Sequence, residues 1–383
     1  MKRPNFAGLP DGSTEEPVHI INAIMEDAKE NKKELWLVLQ DMKKAFDSVS
    51  LVALDLALKR LKLPKTAITF ILNLYENQQS KIITDLGTTT AFEIKDGIEQ
   101  GEVISPLVWR IFYDPLLERI QNDPNLGYTL HTSYNNNLEP ILQEEKKWKQ
   151  AVVAFADNTT WVASSKAQMK KIIKIAEEFF NINDIQINGK KTKLITMNVK
   201  EERKDRTIFF GKEWIQEESE NKIVRFLGIW LNCKLKESTI KSRAKEIVRT
   251  FIRGLNPKKL TVGQISYINN MCIIPKLCYM LQTSRLSENI VSNIHMPIVS
   301  LAKRKMEITR SVRNSMLYHR NLGNLNSLWD QLLIKQITSL HYCLNTIGPE
   351  EAVTNIRIEK DLLLIGASKG TWQNNIFKAS ARL

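Results

Sequence analysis

Apolar residues along the first part of this chain alternate between helical spacing and short strand-like runs, and along the last part only the helical spacing persists. Val18, Ile21, Ile24 and Met25 form a helical stripe within Glu15 to Glu30. Leu35 to Leu39 (LWLVL) is a continuous apolar run, the pattern of a strand buried on both faces, and it stops just before Asp41. Leu51, Leu54, Leu58 and Leu61 make a second stripe that ends ahead of Pro64. Thr66 to Asn77 predicts a further helix, Lys81 to Thr84 and Ala91 to Ile94 short strands, and Ser105 to Gln121 a long helix.

Two apolar runs, Ala151 to Ala156 and Thr159 to Ala163, flank Asp157-Asn158, which predicts a hairpin with that pair as its two-residue turn. Met169, Ile172, Ile173, Ala176, Phe179 and Phe180 make a helical face. Strands are predicted near Ile185 to Ile187, Lys193 to Met197 and Val224 to Leu231. After about Ser238 strand signals nearly vanish. Thr261-Val-Gly-Gln264 fits a capping box, Pro275 should kink the helix that follows, and helices continue to about Asn345. The polar stretch Asn135 to Lys149 reads as an insertion loop. The chain thus divides into an α/β part, to about residue 235, and a helical part.

Charge sharpens that division. Between Thr239 and Arg320 fifteen basic residues face three acidic ones, so almost all of the chain's net charge of +13 lies in the helical part. A regional excess of this kind points to a polyanionic partner, whereas scattered lysines would be a solvated surface. Cys233, Cys272, Cys278 and Cys343 lack zinc-ligand spacing and read as free thiols of an intracellular chain, nuclear or cytoplasmic. The first residues carry no apolar signal-peptide core, and no run of about 20 apolar residues predicts a membrane span.

Nucleotide transfer commonly uses two divalent cations held by carboxylates that converge from separate strand ends. Asp41, after the LWLVLQ run, and Asp157, in the hairpin, are the candidates. Taken singly, each is better explained as a loop or turn residue.

Ordered segments around them change the balance. Asp41-Met-Lys-Lys-Ala-Phe46-Asp47 resembles motif A of reverse transcriptases, and Gly97-Ile-Glu-Gln100-Gly101 with Ser105-Pro106-Leu107-Val108 resembles motif B. Phe155-Ala-Asp157-Asn158 resembles motif C, Asn188-Gly-Lys-Lys191-Thr192-Lys193 motif D, and Phe226-Leu227-Gly228 motif E. Asn5-Phe-Ala-Gly8 and Gly12-Ser-Thr resemble the preceding fingers motif. The set, running from Asn5 to Leu231, is similar to the reverse transcriptase domain of LINE-type (non-LTR) retrotransposons.

The resemblance implies an α+β fold, a right-hand polymerase-like palm with partial fingers followed by an α-helical thumb. Partial fingers would occupy 1–33, the palm with fingers insertions 34–235, the basic thumb 236–345 and a C-terminal extension 346–383. It implies an RNA-directed DNA polymerase that extends a primer 3′-hydroxyl with dNTPs on an RNA template, using two Mg2+ or Mn2+ ions bound by Asp41 and Asp157. Phe46 would lie under the incoming sugar and exclude a 2′-hydroxyl. Gln100 and Gly101 would contact the incoming nucleotide and template. Lys191 would protonate the departing pyrophosphate, although a solvated charge explains it equally well. Phe226, Leu227 and Gly228 would hold the primer terminus, and the basic helices would grip the template–primer duplex through its phosphates.

Two departures from the family pattern stand out. Asn158 occupies the place of the final Asp of FADD, removing one negative charge from the metal site, so a weak enzyme that favours manganese is expected. The same substitution keeps open a catalytically inactive remnant that only binds nucleic acid. LINE-type proteins also carry an endonuclease and more fingers sequence before this point, whereas only Lys2 and Arg3 precede the match here, so a truncated copy is expected.

Overall fold

A computed structural model describes residues 4–8, 13–94, 96–131, 146–220, 222–345 and 348–363. Most of the expected insertion loop (135–145) and the C-terminal extension beyond Leu363 lie outside the described residues. Among the described residues two compact units emerge, one within 1–130 and 147–220 and the other within 131–146 and 221–383.

The first unit is built on a four-stranded antiparallel sheet in the order Lys193–Met197, Leu35–Gln40, Asn158–Ala163, Val152–Phe155. Leu35–Gln40 is an inner strand, which accounts for its unbroken apolar run. Trp36 and Val38 join a core with Trp109, Tyr113, Trp161, Ala176 and Phe180, while Leu35, Leu37 and Leu39 on the other face are also buried. The long helices Ser105–Asn122 and Lys166–Ile182 supply that core's aromatic residues. The helix Glu15–Asn31 packs against the strands Val152–Phe155 and Lys193–Met197. Burying each large apolar side chain contributes roughly 1.5–3 kcal/mol, so this core stabilises the sheet.

One hairpin escaped the sequence pattern. Thr207–Phe210 pairs with Glu213–Gln216 across Gly211-Lys212, both at positive φ (61° and 68°), as a type I′ turn requires. Gly-Lys is a weak signal for that turn. Strands also form at Tyr128–His131 and Lys147–Gln150, the latter within the stretch expected to be a loop.

The second unit combines a short hairpin, Val224–Phe226 with Ile229–Leu231, and the helices Glu237–Leu255, Val262–Ile268, Ile274–Leu281, Glu288–Lys305, Leu328–Asn345 and Pro349–Leu363. The motif E hairpin, grouped with the palm at 34–235 on sequence, belongs by compactness to the helical unit. The Thr261–Gln264 capping box forms with both of its hydrogen bonds. The irregularity expected at Pro275 takes the form of a π-helical stretch, Asn269–Ile273, just ahead of it. A wider turn accommodates the missing proline N–H. Cys272 and Cys278 are free thiols. No helix among the described residues is long and apolar enough to cross a membrane.

Candidate active site

Asp41 is the first residue beyond the inner strand, and motif D holds its backbone from both sides. The Asn188 N–H donates to the Asp41 carbonyl at 2.9 Å, and the Asp41 N–H donates to Thr192 Oγ1 at 3.3 Å. Thr192 Oγ1 in turn donates to the Asn188 carbonyl at 2.9 Å, and Gln186–Ile187 pairs with Met42–Lys43. Lys191, in the same turn, brings its Nζ to 3.9 Å from Asp41 Oδ2. With 71% of the lysine and 36% of the aspartate side chain exposed, this pair adds little stability, and the ammonium is free to move.

Asp157 reaches the same edge of the sheet from the hairpin. Gln40 lies opposite Thr159, so the inner strand's end meets the hairpin's start. The turn differs from the one expected. Asn158 pairs with Phe155, which makes Ala156-Asp157 the two turn residues and Asn158 the first residue of the returning strand. Ala156 has φ 55° and Asp157 has no positive φ, so only the first central residue is left-handed, as in a type II′ turn. Glycine is preferred there, and an alanine needs outside support.

That support comes from the N-terminal segment. Asn5 Oδ1 accepts from the Ala156 N–H at 3.3 Å and from the Ala7 N–H at 3.1 Å, and Asn5 bridges Ala154 as an added parallel strand. Arg110, 1% exposed, donates to the carbonyls of Asn5 and Ala7. Beneath the acids, Trp161 Nε1 donates to Gln40 Oε1 at 2.8 Å and the Tyr113 hydroxyl bonds Thr159 Oγ1 at 3.1 Å. Sequence patterning does not identify Asn5, Arg110 or Thr192 as supports of the acids, because each acts on a residue far away in the chain.

Burial, and then the charge of Asp41, hold the Asp157 carboxyl above its ordinary range. Asn158 Nδ2 donates to Asp157 Oδ1 at 3.3 Å, so the residue that replaces a charge contacts the remaining acid. No group of three or more His, Cys, Asp or Glu able to hold a metal forms among the described residues.

A cleft of about 600 Å³ opens beside Asp157, lined by Phe46, Gln100, Gly101, Ser105 and Pro106 among others. Motif B is tied to motif A. The Gly97 and Ile98 N–H groups donate to the carbonyls of Val49 (2.9 Å) and Phe46 (3.0 Å). Gly97 has φ 107°, and a Cβ there would come within 3.0 Å of the Asp47 Cα, so only glycine permits the approach. Phe46 is half-buried and stacks on Trp109 with ring centroids 5.7 Å apart. It is thus both a packing residue and part of the cleft wall. Asp41, Asp157, Asn158, Lys191, Phe46, Gln100 and Gly101 all belong to this first unit.

Phe226, Leu227 and Gly228 lie in the other unit. Leu227 and Gly228 have φ 43° and 89° and form a tight turn, and the Tyr279 hydroxyl donates to the Leu227 carbonyl. A Cβ on Gly228 would come within 3.0 Å of the Tyr279 ring. Several basic residues of this unit are already engaged. Arg243 sits over Trp230 at 4.6 Å and pairs with Glu246 at 2.8 Å. Lys303, read on sequence as part of the phosphate grip, is 6% exposed and donates to the carbonyls of Arg310 and Val312. It holds a loop and has no access to a duplex.

Residues 2–231, more than half of the chain, match the family described as "Reverse transcriptase (RNA-dependent DNA polymerase)". The chain is 25% identical over 179 residues to a retrovirus-related Pol polyprotein from type-1 retrotransposable element R2 of Popillia japonica, covering 46% of this chain and 23% of that protein. It is 29% identical over 122 residues to the corresponding Nasonia vitripennis protein, covering 32% and 12%. It is 20% identical over 198 residues to the type-2 element R2DM polyprotein of Drosophila melanogaster, covering 52% and 17%. The chain thus spans less than a quarter of the length of these relatives. Among solved structures, telomerase from Candida albicans in complex with a fragment of telomeric RNA is similar with a TM-score of 0.43 and 9% identity, covering 94% of this chain and 52% of that one. The R2 relatives agree with the LINE-type resemblance of motifs A to E. With the family match over residues 2–231 joined to the sheet that carries motifs A and C, the chain belongs to the reverse transcriptase family.

Proposed function

We propose that this chain is an RNA-directed DNA polymerase whose nucleotidyl transfer takes place at Asp41 and Asp157. The observation that carries the reading is that Asp41, just past the end of the inner strand, and Asp157, in the turn of the neighbouring hairpin, share one edge of the sheet beside a cleft lined by Phe46, Gln100 and Gly101. An Asp157 carboxylate disfavoured by burial and by the nearby charge of Asp41 is a site a dication relieves, and magnesium is commonly held by one or two carboxylates completed by substrate phosphates. Divalent metal ions, which the reverse transcriptase family uses, would there activate the primer hydroxyl and offset charge on the transferring phosphate.

The chain's own residues do the rest. Asp41 and Asp157 hold the metal-binding geometry through the motif D turn and the Asn5-supported hairpin. Phe46 limits the room beside the sugar, and its Trp109 stack keeps the ring from swinging away. The motif B turn presents Gln100 and Gly101 to the nucleotide. Lys191, exposed and beside Asp41, would give a proton to the leaving pyrophosphate. In the helical unit, Phe226 to Gly228 would hold the primer terminus, and exposed basic residues such as Arg249 would hold duplex phosphates.

Asn158 supports a second reading, a remnant that binds nucleic acid without catalysis. Its amide adds no charge and its Nδ2 draws on Asp157 Oδ1. Primer extension on poly(rA) with an oligo(dT) primer, in magnesium and then manganese, separates the two. Extension by the wild type, stronger in manganese and lost in Asp157→Ala, is the expected result. A silent wild type recovered by Asn158→Asp would mean a decayed site on a sound fold. Silence in all three proteins, with duplex binding intact, would establish the binding-only reading.

A further inference from the structure

The charged residues lining the Phe46 cleft are Asp157, Glu102 and Lys44, so a nucleoside triphosphate entering it meets two acids and one cation. Metal ions at Asp41 and Asp157 would offset part of the phosphate charge, and the rest needs a donor from the chain. Lys191 has its ammonium beside Asp41. Lys44 is exposed, and its side chain makes no ion pair or hydrogen bond with any described residue.

The backbone at Lys44 is unusual. Its φ is 48°, the left-handed region, which costs a residue with a Cβ roughly 1–2 kcal/mol. Ser48 holds it there, donating to the Lys44 carbonyl from its N–H at 3.1 Å and from its Oγ at 3.0 Å. The reversal comes directly after the strand Met42–Lys43, whose Lys43 pairs with Gln186. It makes Lys44, two residues before Phe46, part of the cleft lining, while Lys43 is not. A strained conformation that its neighbours fix is a reason to look for function. A lysine ammonium is a compact charge with three rotatable donors, suited to phosphate oxygens whose positions shift during transfer.

We propose that Lys44 is a nucleotide-binding residue whose ammonium takes the phosphates of the incoming dNTP. The assignment rests on the polymerase reading above and adds the residue that recognises the triphosphate. An unengaged solvated lysine would leave nucleotide binding unchanged when removed, which makes the two alternatives separable.

The test is steady-state extension of oligo(dT) on poly(rA) with dTTP, together with equilibrium dTTP binding to the protein–primer–template complex in calcium. Lys44→Ala, Lys44→Gln and Lys44→Arg are compared with Lys43→Ala as the control. The expected result is a KM and a Kd for dTTP raised about tenfold to a hundredfold in Lys44→Ala and Lys44→Gln, the loss of one charge-assisted contact. Lys44→Arg should recover most of the affinity, Lys43→Ala should match the wild type, and kcat and primer–template affinity should stay within about threefold. A dTTP affinity in both neutral variants equal to that of the wild type would overturn the assignment alone, the polymerase reading standing. Absence of both extension and dTTP binding in the wild type would overturn the polymerase reading, and this assignment with it.

Discussion

In the sheet unit, a few charged groups are placed by backbone hydrogen bonds reaching across the chain, whereas in the helical unit many charged groups are displayed by local helical periodicity. Asp41 is held by Asn188 and Thr192, and the turn bearing Asp157 is held by Asn5. Arg249 needs only to sit on the outer side of its helix, while Ala244 and Val248 face the core. The contrast fits the two proposed tasks. Transfer chemistry needs groups positioned to a fraction of an ångström, whereas a grip on phosphates without base specificity needs mainly net charge. Lys303 shows that basic composition overstates the grip, since one of its cations is an internal brace.

The largest expected effect tests the sheet side of the contrast. Asp157→Ala should lower primer extension at least about a thousandfold while leaving the thermal midpoint unchanged or raised. The sign follows from its raised pKa, because an acid destabilised as a carboxylate does not stabilise the fold at neutral pH. A falling midpoint in a calorimetric scan would count against this. Phe46→Val should raise ribonucleotide relative to deoxynucleotide incorporation by up to about a hundredfold, read from competing substrates. An unchanged ratio would make Phe46 a packing residue only.

The helical unit has its own pH response. His295 is buried with Nε2 at 2.8 Å from Asn269 Oδ1, and burial pushes its pKa down to about 4 from 6.5. Between those values the unfolded chain binds the proton and the folded one does not. Stability is therefore full above pH 6.5 and falls by about 3 kcal/mol as pH drops to about 4. Urea unfolding across that range, with His295→Gln flattening the curve, checks it.

Smaller effects sharpen the contrast further. Asn5→Ala should lower kcat about tenfold and cost about 1–3 kcal/mol, through loss of the acceptor at Ala156. With the nucleotide KM unchanged, that result would mark Asn5 as positioning Asp157. Arg249→Ala should weaken duplex binding a few-fold and reduce its salt slope by about 1, whereas Lys303→Ala should leave the slope intact and lower stability. Equal salt slopes for the two variants would erase the distinction between displayed and internal charge.

Much of this was readable from sequence, for reasons that differ by region. The buried strand Leu35–Gln40, the helices Glu15–Asn31 and Lys166–Ile182 and the Thr261 capping box are local patterns, and local periodicity or capping chemistry specifies each. The ordered motifs identified the candidate acids and the cleft residues. The hairpin turn was misplaced by one residue, because Asp-Asn is the better turn pair in isolation and the Asn5 hydrogen bond that supports Ala156 in its strained conformation comes from a residue far away in the chain. The Thr207–Gln216 hairpin was missed because Ile208, Phe210 and Ile215 gain their burial from other elements of the core. Sequence by itself determined the long helices, the inner strand and which residue types are available for the chemistry, since these depend on side-chain type and short-range spacing. Tertiary structure alone decided that Asp41 and Asp157 meet, that Lys44 lines the cleft while Lys43 does not, and that Lys303 is turned inward, because each depends on strand register and packing between segments distant in the chain.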